Sequence, residues 1–369
     1  MPYKIPCADP YVTNEDARAV AKAVREKKLS QGKYTEIFEK KFAKYIGVKH
    51  AIAVCNATAG LHLALASLGV GPGDEVIVPS FSFVATANCV LYQGAKPIFA
   101  DIDPLTYNID PNDIKAKITD KTKAIIPVHY AGQSVDMDPL LEIAHERGIH
   151  VVEDAAEALG TKYKKRMIGS LGTIACFSFY PNKPITTGEG GVMTTRNDSL
   201  AEDLRIMRTH GQDRRYHNVL LGYNYRLTDL QAALGIIQLK RLKWATKKRV
   251  EKAAYYDKRI KEVFYDEIKR PYVAPYSTHV YAFYTIRFES KKIRDKVFAK
   301  MEKKGVETCV AFPPIHLQPI YQRLFKYERG YLPITEEVSD TILCLPIYSH
   351  INQKEQEYVI SALKSGLHG

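Results

Sequence analysis

The chain of 369 residues has no run of apolar residues long enough to cross a bilayer, for which about 18 are needed. Its first twelve residues, MPYKIPCADPYV, lack the basic and then apolar run of a secretory signal. We therefore expect no membrane span and no membrane partner, and a cytoplasmic location follows by default.

The six cysteines are scattered without a CxxC pair, and the 11 histidines form no HExxH array. Neither residue type has the spacing of a zinc site. Four of the cysteines lie in apolar runs, where a free thiol behaves as a small buried hydrophobe. No metal site is expected.

The formal net charge of +12 comes from 53 Lys and Arg against 41 Asp and Glu. Such an excess can indicate a nucleic-acid partner. However, the two signs are interleaved along segments such as VREKKLSQGKYTEIFEKKFAKY, which is typical of a solvated helix face. A basic enzyme that acts on a nucleotide-diphosphate accounts for the charge equally well, so no nucleic-acid partner is expected.

Seven short apolar runs alternate with helical patterns over the first two-thirds of the chain, which indicates an α/β fold with a mostly parallel sheet. Most of these runs are apolar on both faces, as expected of strands that helices cover on either side. The predicted strands are HAIAVC (50–55), DEVIVPS (74–80), KPIFADI (96–102), KAIIPVHY (123–130), HVVEDA (150–155), IACFSFY (174–180) and GVMTT (191–195).

A long helical pattern begins near Thr228 and leads away from this sheet. The chain is long for one domain, and we expect a large domain over 1–240, with an N-terminal helical segment, and a small α+β domain over 241–369. The elements predicted for the small domain are strands at 280–288 and 306–312 and helices at 291–305 and 353–366.

Ligand sites of parallel sheets lie at the carboxyl ends of the strands, so polar residues just after a strand are candidates. In CNATAGLHLAL a strand ends at Cys55 and a helix opens near Thr58. Free backbone N–H groups at such a helix start favour a phosphate. Alternatively, Asn56 and Thr58 only cap the helix.

Two adjacent acids, Glu153 and Asp154, end the valine-rich strand of HVVEDAAEALG. A buried carboxylate is costly unless a cation accompanies it. A pyridinium N–H would be such a cation, and an ion pair with a lysine is an equally good reading of this segment alone.

The segment CFSFYPNKPITTGEGGVMTT is the most specific of the chain. Pro184 disfavours helical geometry at Lys183, so this lysine lies on a defined loop between two strands. The glycines that follow allow close backbone approach, and Ser178 at the preceding strand end is a second possible phosphate ligand. In GYNYRLTDLQAA, Thr228 or Asp229 can cap the long helix, whereas Asn224 and Arg226 are left as polar groups without an assigned partner.

Together, NATAGLHLAL, VVEDAAEALG, FSFYPNKPITTGEGG and GYNYRLTDLQAALG resemble the DegT/DnrJ/EryC1/StrS family of sugar aminotransferases, in order and separation. The resemblance runs from about Asp16 to the C-terminal helix. KAIIPVHYAG, GTKYKKRMIGSLGT and ITTGEGG resemble the branch that aminates C4 of nucleotide-linked 4-keto sugars, including the enzymes that make perosamine and 4-amino-4-deoxyarabinose. The resemblance implies the fold-type-I aminotransferase architecture, the cofactor pyridoxal 5′-phosphate (PLP), L-glutamate as amino donor, and a homodimer with shared active sites.

By this resemblance, Lys183 matches the lysine that holds PLP as a Schiff base, and Asp154 matches the acid that keeps the pyridine nitrogen protonated. Further cofactor-binding positions are Thr58, Ala59 and Ser178 at the phosphate, Asn224 reaching the phosphate from the partner subunit, Phe83 over the ring, and Glu157 near the phenolic oxygen. The candidates for substrate binding are Arg215, Tyr216, His217, Arg226 and His316.

Two positions depart from the family pattern: Ala57, where Gly is common, and Glu157, where Gln or His is common. A carboxylate beside an anionic oxygen repels it unless one of them is protonated. A related dehydratase group replaces the lysine by His, so Lys183 favours amino transfer.

The expected function is therefore transfer of an amino group from glutamate to a nucleotide-linked keto sugar, a 4-keto-6-deoxy or 4-keto pentose sugar, in polysaccharide biosynthesis. The cofactor motifs do not report on the acceptor, so a 3-keto sugar nucleotide or a keto-cyclitol is the alternative. We expect the acceptor pocket near SQGKY (30–34), HGQDRRYH (210–217) and His316. A basic regulatory or nucleic-acid-binding protein on an aminotransferase scaffold is the alternative of another class.

Overall fold

The structure, a computed structural model, describes residues 3–369. Its α-helices are α1 (Asn14–Arg25), α2 (Lys33–Ile46), α3 (Ala57–Ser67), α4 (Ala85–Tyr92), α5 (Pro111–Lys117), α6 (Met137–Glu146), α7 (Asp198–Arg208), α8 (Asp229–Phe264), α9 (Lys291–Lys303), α10 (Pro319–Phe325), α11 (Pro333–Thr341) and α12 (Gln353–His368). Its strands are β1 (His50–Val54), β2 (Glu75–Pro79), β3 (Lys96–Ala100), β4 (Thr122–Ile125), β5 (His150–Asp154), β6 (Lys162–Tyr163), β7 (Arg166–Met167), β8 (Ile174–Ser178), β9 (Gly191–Thr195), β10 (Gln212–Arg214), β11 (His217–Asn218), β12 (Tyr284–Arg287) and β13 (Ile342–Leu345).

All seven strands predicted for the first two-thirds of the chain join one sheet, in the order β1-β9-β8-β5-β4-β2-β3. Strand β9 runs antiparallel to both of its neighbours, and the pairs from β8 to β3 are parallel. The expected α/β fold with a mostly parallel seven-stranded sheet is confirmed.

Helices cover this sheet on both faces because successive strand residues point to opposite sides. Val151 belongs to a buried cluster with residues of α2, α6 and α8, such as Phe42. Val152 belongs to the cluster on the other face, with residues of α3, α4 and α7, such as Leu61. The alternation therefore decides on which face each side chain of a strand end emerges.

Helix α8 connects the sheet to the C-terminal unit. It begins at the Thr228 cap, whose hydroxyl accepts from the N–H of Gln231 at 3.3 Å, and its 36 residues span about 54 Å. Its last turns enter a third buried cluster with β12, β13, α9 and α12, which Ile5 also joins. We propose the division at 240/241 as the domain boundary, although α8 crosses it without a break and the N-terminal segment packs on the C-terminal unit.

The strand predicted at 306–312 is wrong. Only single bridges form there, from Val306 to Ile5 and from Cys309 to Cys344. Cys309 exchanges hydrogen bonds with Cys344 on the edge of β13 that β12 leaves open, but within the described residues the ladder extends no further, and Pro313 and Pro314 lack the N–H needed to extend it. Among residues 3–369, no helix is long and apolar enough to cross a membrane.

Candidate active site

The ends of β1 and β8 flank the start of β9 at one edge of the sheet. Val54 and Ser178 both pair with Gly191, so the two strand ends lie one strand, about 4.8 Å, to either side of it. A Cβ on Gly191 would lie 2.7 Å from the backbone N of Ala57 and from the carbonyl carbon of Asn56. Glycine at this position therefore lets the N-terminus of α3 pack directly against the sheet edge beside Ser178.

The N-terminus of α3 is capped and also has free donors. The Asn56 side chain accepts from the N–H of Ala59 at 2.8 Å, so Asn56 caps the helix, as one of the two readings predicted. Within residues 3–369, the N–H groups of Ala57 and Thr58 have no hydrogen-bond acceptor. The predicted phosphate site thus has two free N–H groups at the positive end of a helix, with Ser178 on the neighbouring strand, whereas the N–H of Ala59 is already engaged by the cap.

Asp154 lies at the end of β5 on the α4 face of the sheet. Its carboxylate accepts from the Thr86 hydroxyl at 2.8 Å and from the Ala156 N–H at 3.2 Å. Burial raises the pKa of this carboxyl, against the lowering effects of Thr86, Ala156 and the Lys183 charge. The group is therefore a buried acid whose ionised form gains from a further cation.

Glu153 points to the opposite face. Its carboxylate accepts from the N–H groups of Gly169, Leu171 and Gly172 at 2.7 to 3.0 Å and lies 3.2 Å from the His129 ring nitrogen. Despite complete burial, these contacts lower the pKa of Glu153. These contacts let Glu153 hold the loop at 169–172, before β8, in place. The two adjacent acids therefore have different roles.

Lys183 lies on the loop after β8, with its side chain 10% exposed. Its Nζ is 3.9 Å from the Glu157 carboxylate and 5.9 Å from the ring centre of Phe283. Burial lowers the pKa of the lysine, while Glu157 and Asp154 raise it. Burial also raises the pKa of Glu157, whose other oxygen accepts from the Ala131 N–H at 2.7 Å.

Phe83 is 59% exposed and lies 6.1 Å, centre to centre, from the ring of Phe312. An aromatic side chain left open just after β2 suits the ring-covering role that the resemblance implies. That role remains a prediction.

The predicted partner-reaching residue, Asn224, is exposed beside the end of β1. Its side-chain oxygen accepts from Nε of Arg226 at 3.1 Å, and Arg226 forms an isolated bridge with Val54. Both polar groups therefore lie near the α3 N-terminus of their own chain, and the Asn224 side chain is exposed.

The hairpin of β10 and β11 carries the predicted substrate residues Arg215, Tyr216 and His217. Arg215 donates to the Tyr216 hydroxyl at 3.2 Å, and His217 lies 2.7 Å from the Asp213 carboxylate. Tyr216 is 79% exposed, so within this chain the hairpin has the contacts of a solvated surface.

His316 does not face an open site, and the expectation that it contacts substrate needs correction. The side chain is fully buried, its Nδ1 lies 2.6 Å from the Ser80 hydroxyl, and its Nε2 lies 3.1 Å from the Glu336 carboxylate. Both ring nitrogens are therefore used in tying the loop after β2 to the start of α11.

Asp229 was the alternative to Thr228 as the cap of α8, and its role is different. Thr228 caps α8, while the Asp229 carboxylate accepts from the N–H groups of Gly32, Tyr34 and Thr35 at 2.9 to 3.2 Å. It thereby fixes the predicted acceptor loop at 30–34 to the start of α8.

Sequence reasoning missed Thr86 and the backbone N–H of Ala131, which hold the two carboxylates beside Lys183. The one available signal for Thr86 was its position at the start of a helix that follows a strand end. Ala131 carries no signal, because only its main chain contributes.

These residues fit PLP. Two free N–H groups and a serine suit its phosphate, a buried acid of raised pKa suits a cationic ring nitrogen, and a lysine of lowered pKa suits its aldehyde. The three features lie on the same side of the sheet, at the carboxyl-terminal ends of β1, β5 and β8.

Two known sugar-nucleotide enzymes are similar to this chain over nearly its whole length. GDP-perosamine synthase of Caulobacter vibrioides is 44% identical over 338 residues, which cover 90% of either chain. UDP-2-acetamido-2-deoxy-3-oxo-D-glucuronate aminotransferase of Pseudomonas aeruginosa is 39% identical over 360 residues, which cover 95% of this chain and 97% of the relative.

The PLP form of a Streptococcus pneumoniae protein described as a sugar aminotransferase has the same fold, with a TM-score of 0.94 and 28% identity over 99% of each chain. The family model of the DegT/DnrJ/EryC1/StrS aminotransferases matches residues 10–364. The chain therefore belongs to the DegT/DnrJ/EryC1/StrS aminotransferase family and is a PLP-dependent aminotransferase.

Proposed function

We propose that this enzyme transfers the amino group of L-glutamate to the keto carbon of a nucleotide-linked sugar, a 4-keto-6-deoxy or 4-keto pentose sugar, in the cytoplasm. The observation that carries the proposal is the buried group of Lys183, Asp154 and Glu157 at the strand ends beside the α3 N-terminus. The proposed catalytic residues are Lys183 and Asp154.

Bound PLP supplies a carbonyl that captures an amine and a ring that accepts the electron pair released when a Cα proton is removed. Thr58, Ser178 and the N-terminus of α3 would hold its phosphate, and Phe83 would cover its ring. The Asp154 carboxylate would keep a proton on the ring nitrogen, and Thr86 keeps that carboxylate in place.

The Nζ of Lys183 moves the proton between the reacting carbons. An amine does this only when it is free of its own proton, and burial lowers the pKa of Lys183 in that direction. The neighbouring Glu157 acts against this trend when ionised, but burial raises its own pKa, so that the carboxyl keeps its proton to higher pH than usual.

A nucleotide-linked acceptor is supported by the names of the two relatives, which refer to a GDP-linked and a UDP-linked sugar. A net charge of +12 suits a diphosphate, and we propose Arg215, Tyr216, His217 and Arg226 as its contacts. The motifs of the C4-aminating branch favour a 4-keto sugar. The 3-oxo substrate named for the Pseudomonas relative keeps a 3-keto sugar as the second candidate.

The test is incubation of the PLP-loaded protein with L-glutamate and a panel of 4-keto and 3-keto nucleotide sugars, followed by mass spectrometry of the products. Amination of a 4-keto sugar, with no product from Lys183→Ala, is the expected result. Turnover of a non-nucleotide ketone alone would refute the nucleotide-sugar acceptor. Binding to DNA with a steep salt dependence, together with no absorbance band from lysine-linked PLP, would favour the regulatory alternative.

We also propose a homodimer in which Asn224 of one chain reaches the phosphate of the other. The exposed Asn224 side chain and two largely exposed side chains in the segment just before it, Tyr216 at 79% and Leu221 at 80%, suit a covered interface. Mixing inactive Lys183→Ala with inactive Asn224→Ala after dissociation tests this arrangement. Regained activity is expected, since one site of each mixed dimer then has neither defect, whereas no recovery would place both residues in the same chain's site.

A further inference from the structure

Arg249 on α8 is a buried cation that has no carboxylate partner among residues 3–369. It is 2% exposed, its guanidinium donates only to main-chain carbonyls, and its Nε is buried with no hydrogen-bond partner within residues 3–369. Burial lowers the pKa of Arg249 to about 10, so the side chain is still charged at neutral pH. An unpaired buried charge is costly, and packing alone does not account for it.

The carbonyls that Arg249 binds lie next to the residues around the Lys183 amine. Its Nη2 donates to the carbonyl of Asn182, at 3.2 Å, which directly precedes Lys183. Its Nη1 donates to three further carbonyls, those of Tyr281 at 3.1 Å, Ala282 at 3.5 Å and Ile347 at 3.1 Å. Ala282 directly precedes Phe283, whose ring faces the Lys183 Nζ.

The 281–283 segment is also connected to Glu157 through hydrogen bonds of the main chain. The N–H of Ala282 donates to the carbonyl of Ala131 at 2.8 Å, and the N–H of Ala131 donates to the Glu157 carboxylate at 2.7 Å. The other carboxylate oxygen is the one 3.9 Å from Lys183. A closed circuit of contacts thus connects the loop of Lys183, the guanidinium, the 281–283 segment and the carboxylate beside the amine.

We propose that Arg249 is a positioning residue for the amino-transfer reaction, because its guanidinium joins the main chain at Asn182, next to Lys183, to the main chain at Ala282, next to Phe283, whose ring faces Lys183 Nζ. The inference rests on the proposed function in one respect, that Lys183 is the reacting lysine.

The Arg249 charge should shift the pKa of Lys183 in one defined direction. The charged groups that act on Lys183 are Glu157 and Asp154, which raise the pKa of the lysine, and Arg249, which lowers it together with burial. Removing the guanidinium should therefore raise the pH at which the amine loses its proton.

The experiment compares Arg249→Met, Arg249→Lys and, as a matched control, Arg241→Met. Arg241 lies on the same helix, but it pairs with the Asp16 carboxylate and ties down α1, away from Lys183. In the cofactor-free proteins, the pH dependence of Lys183 acetylation by acetic anhydride is measured by peptide mass spectrometry. In the PLP-loaded proteins, kcat and KM for glutamate are measured.

For Arg249→Met we expect a labelling midpoint about one pH unit higher than in wild type, and a kcat roughly 10- to 100-fold lower with little change in KM. Arg249→Lys should keep the wild-type midpoint, since it keeps the charge, but lose kcat, since one ammonium cannot reach the carbonyls of both Asn182 and Ala282. Arg241→Met should change neither quantity.

A wild-type midpoint and kcat in Arg249→Met would overturn the inference. Should Arg249→Met fail to fold, as circular dichroism would reveal, Arg249→Lys decides the matter, and an undiminished kcat in that variant overturns the positioning role. The labelling needs no sugar and no PLP. Failure of the wild type to form lysine-linked PLP would refute the proposed function, which is a separate outcome.

Discussion

Replacing Thr86 by valine should weaken catalysis by removing the hydroxyl that holds Asp154. Thr86 is 1% exposed, and valine has nearly the same shape, so the substitution removes one donor without opening a cavity. Its hydroxyl donates to the Asp154 carboxylate at 2.8 Å and lies 2.7 Å from the Ser82 hydroxyl. Among the hydrogen bonds of the described residues, only the 3.2 Å contact from the Ala156 N–H would remain on the carboxylate.

A hydrogen bond to a charged group contributes about 1.5 to 3 kcal/mol, which corresponds to a loss of roughly 10- to 150-fold in kcat/KM for glutamate. The pKa of Asp154 should rise too, because burial already raises it and the Thr86 bond is the foremost contact that lowers it. Below its pKa the carboxyl is neutral and no longer stabilises a cationic ring nitrogen. The acid limb of kcat/KM should therefore move to higher pH by about 1 to 2 units.

The assay is stopped-flow absorbance of the PLP-loaded protein mixed with glutamate, over a range of pH, for wild type, Thr86→Val and Thr86→Ser. Serine keeps the hydroxyl and should stay within a few-fold of wild type. An unshifted acid limb in Thr86→Val, or an equal loss in both variants, would refute the argument, because either result would mean that the hydroxyl does not support the charge on Asp154.

Three further substitutions test the site and its support. Gly191→Ala should lower PLP affinity at least tenfold, because its Cβ would lie 2.7 Å from the backbone N of Ala57. PLP titration by fluorescence checks this, and the control Gly71→Ala, where a Cβ has open space, should bind PLP normally. Glu157→Gln should lower the pH midpoint of Lys183 acetylation in the cofactor-free protein, since the carboxylate raises the pKa of the lysine; an unchanged or higher midpoint would contradict that sign. His316→Asn should lower the free energy of unfolding by about 1 to 3 kcal/mol, measured in urea, because it breaks buried hydrogen bonds, and leave KM for the sugar unchanged. A tenfold rise in that KM at unchanged stability would restore the substrate role of His316.

The sheet could be predicted from the sequence because each strand is a compact apolar run between helical patterns. The prediction failed where this local signal was ambiguous. VETCVAF alternates like a strand, but whether it pairs depends on the backbone that lies beside it, and within the described residues it forms only single bridges, from Val306 to Ile5 and from Cys309 to Cys344 on β13. Pairing is a property of distant segments, which a local pattern does not contain.

Much of the candidate site could also be predicted, for a related reason. Asp154 and Ser178 are the last residues of their strands, Thr58 and Lys183 follow a strand closely, and parallel strands end on the same side of a sheet, so local position was sufficient to group them. Arg249 could not be found in this way, since it lies in the middle of a long helix rich in lysine and arginine and its hydrogen bonds within the described residues all go to carbonyl oxygens. Its sequence context is that of a solvated helix face, and only the packing of α8 buries it.

The adjacent acids at the end of β5 show most clearly what could not be predicted from the sequence alone. Sequence composition treats Glu153 and Asp154 alike, and either could pair with a cation. Strand alternation requires that they face opposite sides, and the two sides differ in what they offer: backbone N–H groups and His129 lower the pKa of Glu153, whereas burial raises that of Asp154. The acid whose charge is already satisfied by the fold has a structural role, and the acid whose charge is not satisfied is the one free to stabilise a bound cation. Which is which follows from the loop at 169–172, which approaches one face of the sheet only.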